Sequence, residues 1–167
     1  MGKSFSEELE RCADFADIFE LVKTGVEKTL DRGRAGLMLG LANFGGGPGQ
    51  FLGGYYTVDS NLIVLNSFPL DLIRKKDERL LKPYIFHVLL HEYIHSLGYH
   101  DEARTREITG KICEKLFGSS HPSARMATKI SAFLPLFAYD GIGWFPDREP
   151  EIRIVRGFDK GHLTYVS

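Results

Sequence analysis

Between Pro83 and Leu97 the chain is apolar on nearly every side, with Tyr84, Ile85, Phe86, Val88, Leu89, Leu90, Tyr93, Ile94 and Leu97 distributed all round a helical axis. A helix without a solvent face must be enclosed by the rest of the protein, so this one is predicted to run through the middle of a domain. Pro83 suits its first turn and Gly98 its end. Every other element has to be arranged around it. The 167 residues suffice for one domain, residues 1–167, with a substantial core and no need of disulfides.

The surrounding pattern is mixed. Cys12, Phe15, Ala16, Phe19, Val22, Val26 and Leu30 recur at three- and four-residue spacing, which predicts one amphipathic helix from about Phe5 to Asp31. Ser4 and Glu7 have the spacing of a capping box at its start. Arg34 to Phe44 is expected as a strand, and Gly45 to Gly49 as a mobile surface loop that lacks any phosphate-binding pattern. Phe51 to Asn66 reads as a β-hairpin: Tyr55 to Val58, a turn at Asp59-Ser60-Asn61, then Leu62 to Leu65. Polar residues Asp71 to Lys82 lead into the buried helix. Further helices are expected over Asp101 to Phe117, closed by Gly118, and over Ser123 to Phe137. Glu151 to Arg156 alternates like a strand, with Leu163 to Val166 as its expected partner. The sum is a single α+β domain, a small mixed sheet with a β-hairpin packed on a buried helix.

That helix carries His91-Glu92-Tyr93-Ile94-His95. Two histidines four positions apart share one face and reach the same point in space. A shared metal ion would satisfy both, and Glu92 beside them could deprotonate a water that the metal activates. The pattern is the minimum set for zinc-activated hydrolysis, with Zn²⁺ as the expected cofactor. His87, one turn earlier, is expected to play a structural part. Three ligands at successive i+4 steps of one straight helix climb about 6 Å each and cannot converge on a tetrahedral ion. The third ligand must therefore come from beyond the helix.

From His91 to Asp101 the chain reads H-E-x-x-H-x-x-G-x-x-D, which resembles the extended motif of the metzincin clan of zincin metallopeptidases; snapalysin-like members have Asp at the last position. The resemblance covers about a dozen residues, together with the hairpin-before-helix order. It implies a zincin-like fold and peptide hydrolysis, with His91, His95 and Asp101 as metal ligands, Glu92 as catalytic base and Gly98 as the turn. Met126, the one candidate for the clan's later Met-turn, lies in a segment expected to be helical, and the paired cysteines of archaemetzincins are absent. Asp101 is also the natural N-cap of the following helix. Glu102, His100, Glu107 and Glu114 are the other candidate ligands, and a later Glu would point to gluzincins instead. Tyr99 and His100 are the nearest candidates to stabilise an oxyanion. In zincins a sheet edge pairs with extended substrate; Leu62 to Leu65 could serve as that edge or lie inside the sheet, and Asn66-Ser67 could bind substrate or end the strand.

Gly98-Tyr99-His100-Asp101 also resembles the end of the H-x-x-x-H-x-x-G-Y-D-H motif of YbeY-type metal-dependent endoribonucleases. That family does not place Glu directly after the first His, so Glu92 favours peptide hydrolysis, with a peptide or protein as partner. A non-catalytic zinc-binding domain is the third reading. The net charge of -1 gives no bulk attraction to nucleic acid or anionic membrane. No apolar stretch approaches the ~20 residues that span a bilayer. The opening residues lack the apolar core of a secretory signal, so a cytoplasmic location is expected. Cys12 and Cys113 are expected as buried thiols.

Overall fold

The computed structural model describes residues 4–47, 50–130, 132–133 and 144–159. Among these it contains six α-helices: α1 (Phe5–Arg11), α2 (Phe15–Leu30), α3 (Ser67–Lys76), α4 (Leu81–Ser96), α5 (Glu102–Phe117) and α6 (Pro122–Thr128). The strands are β1 (Met38–Ala42), β2 (Gly46–Gly47), β3 (Gln50–Phe51), β4 (Gly54–Tyr56), β5 (Leu62–Asn66) and β6 (Arg153–Val155). Four of them form one mixed sheet in the order β4-β5-β1-β6, with β5 parallel to β1 and the outer pairings antiparallel. The protein is α+β. None of the described helices is long and apolar enough to cross a membrane.

The all-round apolar segment is α4, and it is enclosed as its composition requires. It packs against α2, α5 and α6 on some sides and against β4 and β5 on another. Tyr93 meets Phe19 of α2 edge-on at 5.4 Å between ring centroids, and Phe158 stacks on Phe19 from beyond at 4.2 Å. All three rings are essentially excluded from solvent, so this column joins α4, α2 and the segment after β6.

Several sequence expectations are corrected here. The single helix over Phe5 to Asp31 is two, because Asp14 adopts extended backbone and its carboxylate accepts the Asp17 N–H at 2.8 Å. A short acidic side chain that caps a new helix competes with continuing the old one. Ser4 does cap α1, accepting the Glu7 N–H at 3.2 Å. The polar run after Asp71 is largely helical, within α3. Gly45 to Gly47 are buried, and β2 pairs with β3 and bridges to Trp144. A Cβ at Gly45 would collide with the Trp144 carbonyl, so the glycine there permits close backbone approach. The strand Leu62–Leu65 is interior, and the outer strands of the sheet are β4 and β6. Asn66 ends β5 structurally: its buried side chain accepts from Phe44 and Phe68 N–H groups and donates to the Gly45 and Leu52 carbonyls. α6 stops at Thr128, short of the predicted Phe137, and residues 131 and 134–137 of that prediction lie outside the described residues. β6 pairs with β1; its expected partner Leu163 to Val166 lies outside the described residues. Cys12 and Cys113 are buried free thiols, and burial pushes the Cys12 thiol up to about 11.

Among the described residues, the charge of one lysine is wholly buried. Lys23 of α2 has no exposed surface and reaches Asp159 at 2.7 Å and Glu20 at 2.8 Å. Asp159 also accepts the Leu37 N–H at 3.1 Å, which ties the segment after β6 to the approach of β1. Removing one partner of a buried pair leaves an uncompensated charge, so Asp159→Asn is expected to cost about 3 kcal/mol in urea unfolding. A loss under about 1 kcal/mol would mean that Glu20 alone neutralises Lys23.

Candidate metal centre

The site begins with how α4 ends. Gly98 takes φ +108°, a conformation that disfavours any side chain, and reverses the chain immediately after the helix. Asp101 follows in extended backbone and caps α5, its carboxylate accepting the Arg104 N–H at 3.3 Å. α5 therefore starts at Glu102 and folds back on α4. The last carbonyls of α4 are satisfied from the segment after α2: Arg32 donates to Leu97 O at 2.6 Å and Arg34 to Ser96 O at 3.0 Å. Two guanidinium groups at a helix C-terminus also suit its partial negative charge. Arg34 donates further to Ser60 O at 2.7 Å and to the Tyr56 hydroxyl at 2.9 Å, fixing the β4–β5 turn to the end of the site helix.

This arrangement brings His91, His95 and Glu102 together, with one candidate ligand atom from each lying within 4.8 Å of the others. His95 Nε2 is 2.6 Å from Glu102 Oε1, and His91 Nε2 is 3.1 Å from Glu102 Oε2. The opposite nitrogen of His95, Nδ1, donates to the Tyr99 carbonyl at 2.7 Å, which Thr105 Oγ1 also approaches at 3.0 Å. A neutral His95 therefore turns a lone pair at Nε2 towards a carboxylate oxygen. Two acceptors at that separation need a cation between them, a proton or a metal. A tetrahedral ion with bonds of about 2.0–2.1 Å would hold its donors about 3.3 Å apart; the two His–Glu contacts are near that spacing, and the three donor atoms all lie within 4.8 Å of one another. The three residues could hold a metal ion, and the carbonyl that fixes His95 is the kind of outer partner that orients a ligating imidazole.

The electrostatics suit the same use. Burial lowers the affinity of His91 for a proton, against the opposing pull of Glu102, and so favours the neutral, ligating form. Partial burial works to raise the Glu102 carboxyl, but the hydrogen bonds and charges of the two imidazoles prevail and hold it below its ordinary range. Glu92 is 6% exposed and points towards the same space; burial pushes it up to about 7, with Glu102 adding to the rise and His95 opposing it. A carboxyl poised there can take up and release a proton near neutrality.

The residues predicted from sequence fall as follows. His91 and His95 share the site and Glu92 lies beside it. Asp101, the expected third ligand, caps α5, and it is Glu102, one residue on, that joins the two histidines; its side chain leaves the first turn of α5 towards α4. Glu107 is engaged on the surface with Arg104 and Lys111. His87 lines the adjoining cleft but does not join the ligand group, and burial lowers its pKa to about 4. Tyr99 contributes its carbonyl, while its ring lies beneath Arg32. His100 lines a second, smaller cavity of about 270 Å³ together with Tyr55, Tyr56, Glu92 and His95. Both cavities are also bordered by Gly54 of the edge strand β4, which sequence reasoning did not single out. Comparison with protein-family models, curated protein sequences and solved structures finds no match for this chain.

Proposed function

We propose that this protein is a zinc-dependent peptide hydrolase of zincin-like architecture, with His91, His95 and Glu102 as metal ligands and Glu92 as general base. The observation that carries the reading is the convergence of two imidazole Nε2 atoms on one carboxylate, with Glu92 alongside on the same helix. Two neutral nitrogens and one carboxylate oxygen are a fitting donor set for Zn²⁺. When bound there, zinc supplies Lewis acidity to a substrate carbonyl and to the attacking water. Glu92 accepts the proton of that water and can return it to the leaving amine. β4 is an outer strand of the sheet among the described residues and borders both cavities, so an extended peptide could add to it as a further strand and be led past the ligands. This gives β4 the substrate-pairing part first considered for Leu62 to Leu65. The neighbouring Glu92 also favours this reading over an endoribonuclease.

The test combines metal and activity. Protein purified without chelator and reconstituted with zinc is expected to carry about one Zn²⁺ per chain by elemental analysis, and to cleave members of a degenerate peptide mixture followed by mass spectrometry. Removing zinc by chelation should stop cleavage, and restoring it should recover cleavage. Failure to retain any divalent metal at neutral pH would remove the basis of the reading.

A further inference from the structure

Beside the ligand set a cleft of about 690 Å³ lies between α4, α5, α6 and the approach to β4. Leu52, Val88, Met126 and Ile130 give it apolar walls, and two cations, Arg106 and Lys129, line it as well. Its only carboxylates among the described residues are Glu92 and Glu102, both already assigned to the metal centre. Among the described residues neither cation has an ion-pair partner, whereas Arg104 and Lys111 on the same helix both pair with Glu107. Arg106 lies one turn, about 6 Å, beyond Glu102, the spacing at which Glu and Arg ordinarily pair along a helix. Here the Glu102 oxygens are turned to His91 and His95 instead. Arg106 is left beside the cleft, which His91 also lines.

With a dication bound, positive charge outweighs negative throughout this space, so an anionic group of the substrate is favoured there. Resting on the peptidase reading above, we propose that Arg106 and Lys129 bind a substrate carboxylate, either an acidic side chain or a free C-terminus, held at a fixed distance from the scissile bond. A guanidinium fork matches a carboxylate in two hydrogen bonds, and an ammonium adds a second point of charge. The apolar walls suit a peptide side chain. Among the described residues no exposed aromatic ring lines the cleft on which a nucleic-acid base could stack, which disfavours a phosphodiester strand.

The zinc-loaded wild type, Arg106→Gln, Lys129→Gln and the double variant would be given degenerate peptides with either free or amidated C-termini, and the cut sites read by mass spectrometry. The expected result is enrichment of Asp and Glu at one position relative to the cut, or cuts at one distance from a free C-terminus that amidation abolishes. The ratio of acidic to neutral kcat/KM should fall about tenfold or more in the variants, the scale of one charge-assisted hydrogen bond, with Arg106→Lys keeping part of the preference. Equal selectivity in wild type and double variant overturns the proposal. If no peptide is cut, the hydrolase reading fails and glutarate decides the rest by NMR titration of the zinc-loaded protein. Binding about tenfold weaker in the double variant supports a carboxylate site, whereas equal binding, or none in wild type, overturns it. A short single-stranded oligonucleotide that displaces glutarate would assign the two cations to phosphate and also overturn the proposal.

Discussion

Glu102→Gln is expected to lower zinc affinity by at least about 10²-fold, whereas Asp101→Asn should leave it within a few-fold of wild type, measured by competition with a chromogenic chelator. Altering a residue that only orients a ligand already costs about 10–100-fold in affinity, and removing a ligand should cost more. The two acidic residues are adjacent and differ in what they touch. Asp101 spends its carboxylate on the Arg104 N–H as the cap of α5, a duty that an asparagine performs about as well. Glu102 places an oxygen against each imidazole. Asp101→Asn should also leave the unfolding of the metal-free protein within about 0.5 kcal/mol of wild type, because the cap survives. The reverse pattern, zinc lost in Asp101→Asn and kept in Glu102→Gln, would restore the metzincin-like ligand set and require α5 to begin differently.

Glu92→Gln should keep the metal and lose hydrolysis by at least about 10²-fold, the usual scale of a missing general base. A glutamine occupies the same volume on the buried face of α4 and leaves both histidines in place, but it cannot accept a proton at neutral pH. Unchanged turnover would show that another group takes the proton. The same variant has a signature without metal. Burial raises the folded-state pKa of Glu92 from 4.5 to about 7, so its contribution to stability is present below about 4.5 and is lost as pH rises through about 7. In the metal-free protein, Glu92→Gln should therefore gain stability relative to wild type across that window, by up to about 3 kcal/mol. Comparing the two proteins cancels the opposite contributions of His87 and His91, whose lowered values make acid unfavourable. A stability difference independent of pH would mean that Glu92 is better solvated than its burial indicates.

Much of the site is legible in the sequence because helical periodicity is fixed. His91, Glu92 and His95 lie together on one enclosed helix, as their spacing requires, and Gly98 ends it. The third member of the cluster is harder to read because a one-residue difference in where a helix begins decides which side chain faces its neighbour. A signal was available. Thr105, Ile108, Thr109 and Ile112 form the buried stripe of α5, and continuing that stripe back three residues from Thr105 reaches Glu102, with Asp101 left in the cap. The sheet is only partly legible. The hairpin follows from its turn, but which of its strands lies outermost depends on β1, which pairs with β5 from 24 positions away in the chain, as Met38 with Leu62. The break between α1 and α2 escapes sequence reading because the apolar spacing runs through Asp14 unchanged, while the backbone follows the cap.

All three residues of the proposed metal site lie within the twelve residues from His91 to Glu102, whereas β4, the strand proposed to receive substrate, is held by β5 and, through it, by β1. Joining the ends of so short a loop costs about 2 kcal/mol of chain entropy, little beside the cost of ordering the sheet. On the proposed reading, the metal-holding side chains are thus local in the chain, while the substrate platform depends on pairings made from farther away. Metal content and cleavage would then report on different parts of the fold. On the proposed reading, damage confined to the sheet would be expected to cost cleavage before it costs metal binding.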